Sequence, residues 1–169
     1  GTSVSTIVRI NPTPKVIIVA SDTLQCDSTA TNILLQSPSI FSSGSISFKY
    51  IATATGGVTG FDASDSGLPN GYIIIDTLVN PTNTVQSVTY TIIPVSPLAC
   101  NDGPAKVVVI YVNPTARLSV SVADTIVCDS STVNITVNDL NGNVHPSTTK
   151  VYQLTTTNPG GVLGVQATG

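Results

Sequence analysis

Residues 11–32 read NPTPKVIIVASDTLQCDSTATN and residues 113–134 read NPTARLSVSVADTIVCDSSTVN, an offset of 113 − 11 = 102. The same offset links Pro12 to Pro114, Asp22 to Asp124, Cys26 to Cys128 and Asp27 to Asp129. A period near a hundred residues is one domain long. The 169 residues therefore divide into one full unit and parts of its neighbours. Residues 1–10 align with 103–112 and read as the last strand of a preceding unit, residues 11–112 as a complete unit, and residues 113–169 as the first part of the next.

What each unit folds into follows from its residue types. Roughly a quarter of the chain is Ser or Thr, and Val and Ile dominate the apolar residues. Glu, Met and Trp are absent. Branched Val, Ile and Thr are stiff at χ1 and suit pleated strands, whereas the unbranched helix formers are scarce. An all-β fold is expected. Strands are predicted over 16–20, 31–36, 46–50, 72–79, 88–92 and 106–112, with a short one near Val58. Residues 22–30 read as a polar loop. About seven strands with turns every eight to twelve residues predict an antiparallel immunoglobulin-like sandwich, repeated in tandem. The second unit repeats its first three strands at 118–122, 133–137 and 150–154, and Gly160 to Gly164 matches Gly56 to Gly60 after a two-residue insertion. The strands that would finish it are missing, so a longer parent or another chain is expected to supply them. The joints Asn11-Pro12-Thr13-Pro14 and Asn113-Pro114-Thr115 are predicted to be short and stiff, because proline fixes φ and extends the residue before it.

Charge and motif content narrow the function by exclusion. Charged residues make up 9% of the chain, the net charge is −3, and the six basic residues are scattered. Nucleic-acid binding needs clustered Lys and Arg. The longest apolar run, 107–112, is too short to span a bilayer. His145 is the only histidine, which leaves a metal site or a Ser-His-Asp triad without its other parts. Asp62 and Asp65 are the nearest approach to paired carboxylates, but they lie in a Gly-rich loop where Asp serves turns. Asp139, Asn141 and Asn143 have the spacing of a calcium loop, yet Gly142 is misplaced and Lys150 stands where a Glu should close the site. A hairpin turn is the better reading. The Gly-Gly pairs sit between strands and are not phosphate loops. No enzyme and no cofactor are expected.

Cys26 and Cys100 share one unit, and Cys128 is the second copy of Cys26. The partner of Cys128 by repetition would fall at 100 + 102 = 202, beyond the sequence. The odd count thus follows from the repeat register, and disulfides fit an oxidising compartment. Two pairings are open. One is a Cys26–Cys100 bridge within the unit. The other is a staple from Cys26 to the final hairpin of the following unit, favoured if immunoglobulin-like topology places that loop and that hairpin at opposite ends.

The V-N-P-T joints, a Cys shortly before N-I-L-L or N-I-T-V, the strand V-T-Y-T-I-I-P from Val88, and A-C-N-D-G-P from Ala99 belong together. This combination resembles the PKD-like, immunoglobulin-like repeats of very large Bacteroidetes surface proteins, of which gliding-motility adhesins are the best known. The resemblance covers nearly the whole chain. It implies export by the type IX route, an extracellular place at the cell surface, and a stalk or filament of many units; in the structural reading, exposed loops of such a stalk are expected to contact surfaces or surface glycans weakly. It brings no catalytic residues. It also implies O-glycosylation at Asp-Thr or Asp-Ser followed by an apolar residue or Thr, which fits Thr23, Ser28, Thr77 and Thr125. The function expected is a stiff structural repeat of a cell-surface adhesin or filament. The alternative is a carbohydrate-binding or accessory domain of a secreted hydrolase, which would need an aromatic platform from Tyr50, Tyr72, Tyr90, Tyr111 and Tyr152.

Overall fold

The computed structural model describes residues 1–98 and 100–157, and among these there is no helix. Twelve strands follow in order. They are β1 (Ile17–Ala20), β2 (Leu24–Cys26), β3 (Thr29–Ala30), β4 (Ile33–Gln36), β5 (Ser47–Ala54), β6 (Ser64–Pro69), β7 (Ile73–Ile74), β8 (Thr77–Leu78), β9 (Gln86–Val95), β10 (Lys106–Asn113), β11 (Leu118–Val122) and β12 (Ile135–Asp139). The first ten build one sandwich. A three-stranded sheet has the order β1-β4-β7, a five-stranded sheet the order β2-β10-β9-β5-β6, and β3 pairs with β8.

Alternation explains the core. Along β9, Val88, Tyr90, Ile92 and Pro94 point inward, and the residues between them are half-exposed. β5 does the same with Phe48, Tyr50 and Ala52. These side chains meet Ile33, Leu35 and Ile74 of the opposite sheet, and Ile110 and Val112 of β10, in a single cluster. Burying each such side chain stabilises the fold by about 1.5–3 kcal/mol relative to exposure. The Tyr50 and Tyr90 rings lie 5.9 Å apart at 58°, a tilted aromatic pair.

The expected apolar strand over 72–79 is split into β7 and β8, and the break has a named cause. Thr31 inserts its hydroxyl there, donating to the Ile74 carbonyl (3.1 Å) and accepting from the Asp76 amide (2.9 Å). Asp76 itself is 7% exposed, and the Tyr90 hydroxyl donates to its Oδ2 at 2.7 Å. Every polar group of this insertion is thereby satisfied within the core.

Several expectations need correction. The segment 22–30 is not merely a loop: it holds β2 and β3, and β2 pairs in parallel with β10, so the sandwich is not wholly antiparallel. The Gly-rich region forms β6 on the edge of β5, and Val58 is core but not strand. Residues 1–10 carry no regular structure and are exposed. β11 forms over the expected 118–122, β12 (Ile135–Asp139) lies two residues later than the expected 133–137, and 150–154 is not a strand. In the first unit the equivalent β5 is hydrogen-bonded to β6 on one side and β9 on the other. Residues 150–154 have no such partners among the described residues. The match of Gly160 to Gly164 lies outside the described residues.

The β11–β12 hairpin reproduces the β1–β4 register: Ile17 pairs with Gln36 and Ser119 with Asn138, while Ile18 pairs with Leu35 and Val120 with Val137. Its faces differ. Ile33 and Leu35 are 0% exposed, whereas their equivalents Ile135 and Val137 are 54% and 47% exposed.

Candidate functional site: the joint between units

Asn113 ends β10 and begins the second Asn-Pro-Thr run. The residue before proline is held extended, so the strand leads straight into the joint. The Asn113 side chain is buried and hydrogen-bonded at both its oxygen and its nitrogen. Its Nδ2 donates to Thr148 Oγ1 and its Oδ1 accepts from the His145 amide, both at 2.8 Å. The His145 ring then lies 4.8 Å from the ring of Tyr111.

A second set of bonds ties the turn after β8 to the loop after β12. The Gly142 amide donates to the Asn83 carbonyl (2.8 Å), and the Val85 amide to the Asn143 carbonyl (2.6 Å). This reciprocal backbone pairing resembles one rung of a sheet laid across the joint. A Cβ at Gly142 would lie 2.7 Å from Thr84 Cγ2, so a side chain there would have to displace the Thr84 methyl. The turn itself is pinned by buried Asn80, whose Nδ2 donates to the carbonyls of Thr84 (2.8 Å) and Val112 (2.9 Å).

Asp27 connects both sets. Its Oδ1 accepts from the Asn80 amide at 2.8 Å, and its Oδ2 from the Thr115 hydroxyl at 2.5 Å. The Thr115 bond, aided by the amides of Asn80 and Ser28 against a burial cost, holds the Asp27 carboxyl below its ordinary range.

The residues with calcium-loop spacing serve the same joint. Asn141 Oδ1 accepts from the Arg117 amide (2.6 Å), and its Nδ2 donates to the Thr115 carbonyl (2.9 Å). Asp139 is ion-paired to Lys150, which depresses its carboxyl with help from the Asn141 amide. Among the described residues no group of three metal-ligating side chains is gathered.

Several joint contacts recur at the repeat offset. The Lys15 amide donates to Ser39 Oγ at 3.0 Å, as the Arg117 amide does to Asn141. Asn11 Oδ1 accepts from the Ser42 amide at 2.8 Å, and its equivalent Asn113 accepts from His145, one residue beyond the offset position of Ser42. Ser28 and Ser130 share a φ of 63°, in the left-handed region that costs a non-glycine residue energy.

The remaining candidate residues stand apart. Cys26, Cys100 and Cys128 are exposed free thiols. Cys26 pairs opposite Asn113 at the far end of β10, while Cys100 lies in the hairpin before Lys106 at its near end. The structure does not bring these two together: eight strand residues put roughly 25 Å between the ends. Thr23, Ser28, Thr77 and Thr125 are all exposed. Asp65 lies within β6, where it pairs opposite Tyr50, and Asp62 lies just before that strand; neither lines a described cavity. The tyrosines build no platform, since Tyr50 and Tyr90 are core and Tyr111 faces His145.

Two sheets packed face to face around one core, with the β11–β12 pair hydrogen-bonded beyond it, define an immunoglobulin-like β-sandwich module. The model of the PKD-like domain family matches residues 23–116, which is more than half of the chain. The chain belongs to that family. Its domains are structural, generally non-catalytic and typically extracellular. Comparison with curated proteins and with solved structures gave no match.

Proposed function

We propose that the protein is a stiff spacer unit of a tandem array in a large cell-surface protein, holding a distal binding region away from the surface. The observation that carries this is the joint. Two reciprocal backbone bonds, the Asp27–Thr115 bond and the Asn113 clamp fix one unit on the next. The recurrence of the Lys15–Ser39 contact as Arg117–Asn141 supports the same geometry at each linker. The apolar face of β11–β12 supports completion of the second unit by further strands, from a neighbouring repeat or another subunit.

The likeness of the joints and the cysteine-bearing hairpin to Bacteroidetes adhesin repeats extends the reading to adhesion or gliding motility after type IX export. Exposure of Thr23, Ser28, Thr77 and Thr125 supports O-glycans at those positions, and a native mass equal to the sequence mass would rule them out. The test of the spacer is amide relaxation by NMR. The β9–β10 and β11–β12 amides share one rotational correlation time if the joint is stiff. Independent, faster tumbling of β11–β12 would overturn the reading.

A further inference from the structure

The hairpin between β9 and β10 sits on the first joint. The Gly103 amide donates to the Pro94 carbonyl at 2.9 Å, and a Cβ at Gly103 would run into the Pro14 carbonyl oxygen. One residue earlier, Asp102 is ion-paired with Lys49 at 2.7 Å. Pro14 and Lys49 are therefore the seat of this hairpin, which carries Cys100 at its tip.

By the repeat offset, the matching seat at the second joint is Ala116 and Val151. Both border an open cavity of about 640 Å³. Cys26 and Asp27 of the first unit line the same cavity. The cavity thus lies where a hairpin like 96–105 packs in the first unit, and an exposed thiol borders it.

We propose that this cavity receives the last hairpin of the following unit, and that Cys26 forms a disulfide with that hairpin's cysteine, stapling each joint covalently. The proposal rests on the tandem reading and deepens it. Formation removes two protons and two electrons from two thiols, and a disulfide oxidant accepts them, becoming two thiols. By exchange, the Cys26 thiolate attacks one sulfur of the oxidised partner and the other sulfur leaves as thiolate. A bridge within the unit would need Cα atoms within about 7 Å, which the placement of Cys26 and Cys100 beside opposite ends of β10 forbids. The staple and the hydrogen-bonded joint then act on the same degree of freedom, the bend between units.

The test uses the whole chain with Cys100→Ser, so that its own hairpin does not compete. The probe is a synthetic peptide of residues 96–105, SPLACNDGPA, supplied as its symmetrical disulfide, with oxidised glutathione as the accessibility control. Peptide mapping reads occupancy at Cys26 and Cys128. A seated hairpin raises local concentration, so Cys26 is expected to capture the peptide about tenfold faster than Cys128, while glutathione reacts with both at similar rates. Val151→Trp, which fills the cavity, is expected to abolish the preference without slowing the glutathione reaction. Equal capture of the peptide at Cys26 and Cys128 overturns the staple, as does a Cys26–Cys100 bridge in the oxidised wild-type monomer. Amide exchange separates the two readings. Unselective capture with β11–β12 protected sinks only the staple, whereas an unprotected β11–β12 sinks the tandem reading and the staple with it.

Discussion

Two carboxylates answer pH in opposite directions. Asp76 is buried, and that desolvation raises its carboxyl above the ordinary value against the stabilising Tyr90 bond. An acid whose folded pKa is raised favours the fold in its protonated form. Its contribution is full below the unfolded value near 4 and is lost as pH rises through the folded one. Asp76→Asn keeps an acceptor for Tyr90 and removes the buried charge. Its melting temperature relative to wild type is expected to rise from pH 4 to pH 7, as thermal denaturation across that range will show. A constant difference would refute the buried-charge account. Asp27 is the reverse case, lowered mainly by the Thr115 hydroxyl. Its contribution is present above about pH 4 and fades as pH falls through the depressed value. Thr115→Val should move the Asp27 carboxyl titration upward, measured from its side-chain carbon shift. Neither behaviour is readable from the sequence, because Asp27 and Asp76 both occur as ordinary Asp-Ser and Asp-Thr pairs. What separates them is a tyrosine fourteen residues away and a threonine eighty-eight residues away.

Among the strands, those with a period of two were legible, because alternation in β5 and β9 reports one buried face directly. β2 and β6 were not. Leu24-Gln25-Cys26 is too short to show a period, and Ser64–Pro69 is polar save for Leu68. Each is a strand because a longer neighbour, β10 or β5, offers an unpaired edge. The inverse holds for 150–154, which has the strand pattern but, among the described residues, lacks the flanking strands that make β5 one. The same lesson gives a paired prediction. Leu35 and Val137 occupy one register position in their hairpins, but only Leu35 is covered. Leu35→Ala is expected to cost about 2–5 kcal/mol of unfolding free energy. Val137→Ala is expected to cost less than about 1 kcal/mol. Urea titration measures both, and comparable losses would show that the second hairpin is packed after all.

At the scale of the whole molecule, the repeated Asn-Pro-Thr runs were visible in the sequence, but the backbone pairing beside the second run was not. It depends on Asn83 and Val85 meeting Gly142 and Asn143, residues that repetition does not flag. Gly142 is the sharpest probe of that pairing. It lies outside the buried core of the first sandwich, so a side chain there leaves the core intact. It also donates to Asn83, and an added Cβ would press on Thr84. Gly142→Val should therefore separate the two loops while leaving the first unit as stable as before. The expected outcome is an unchanged urea midpoint for the β9–β10 amides, together with faster local tumbling of β11–β12 and a broader distance distribution in small-angle scattering. A stiff spacer transmits bending only if such contacts hold. If the variant tumbles as one body like the parent, then the proline-fixed linker alone sets the angle, and the backbone rung between the loops is incidental to it.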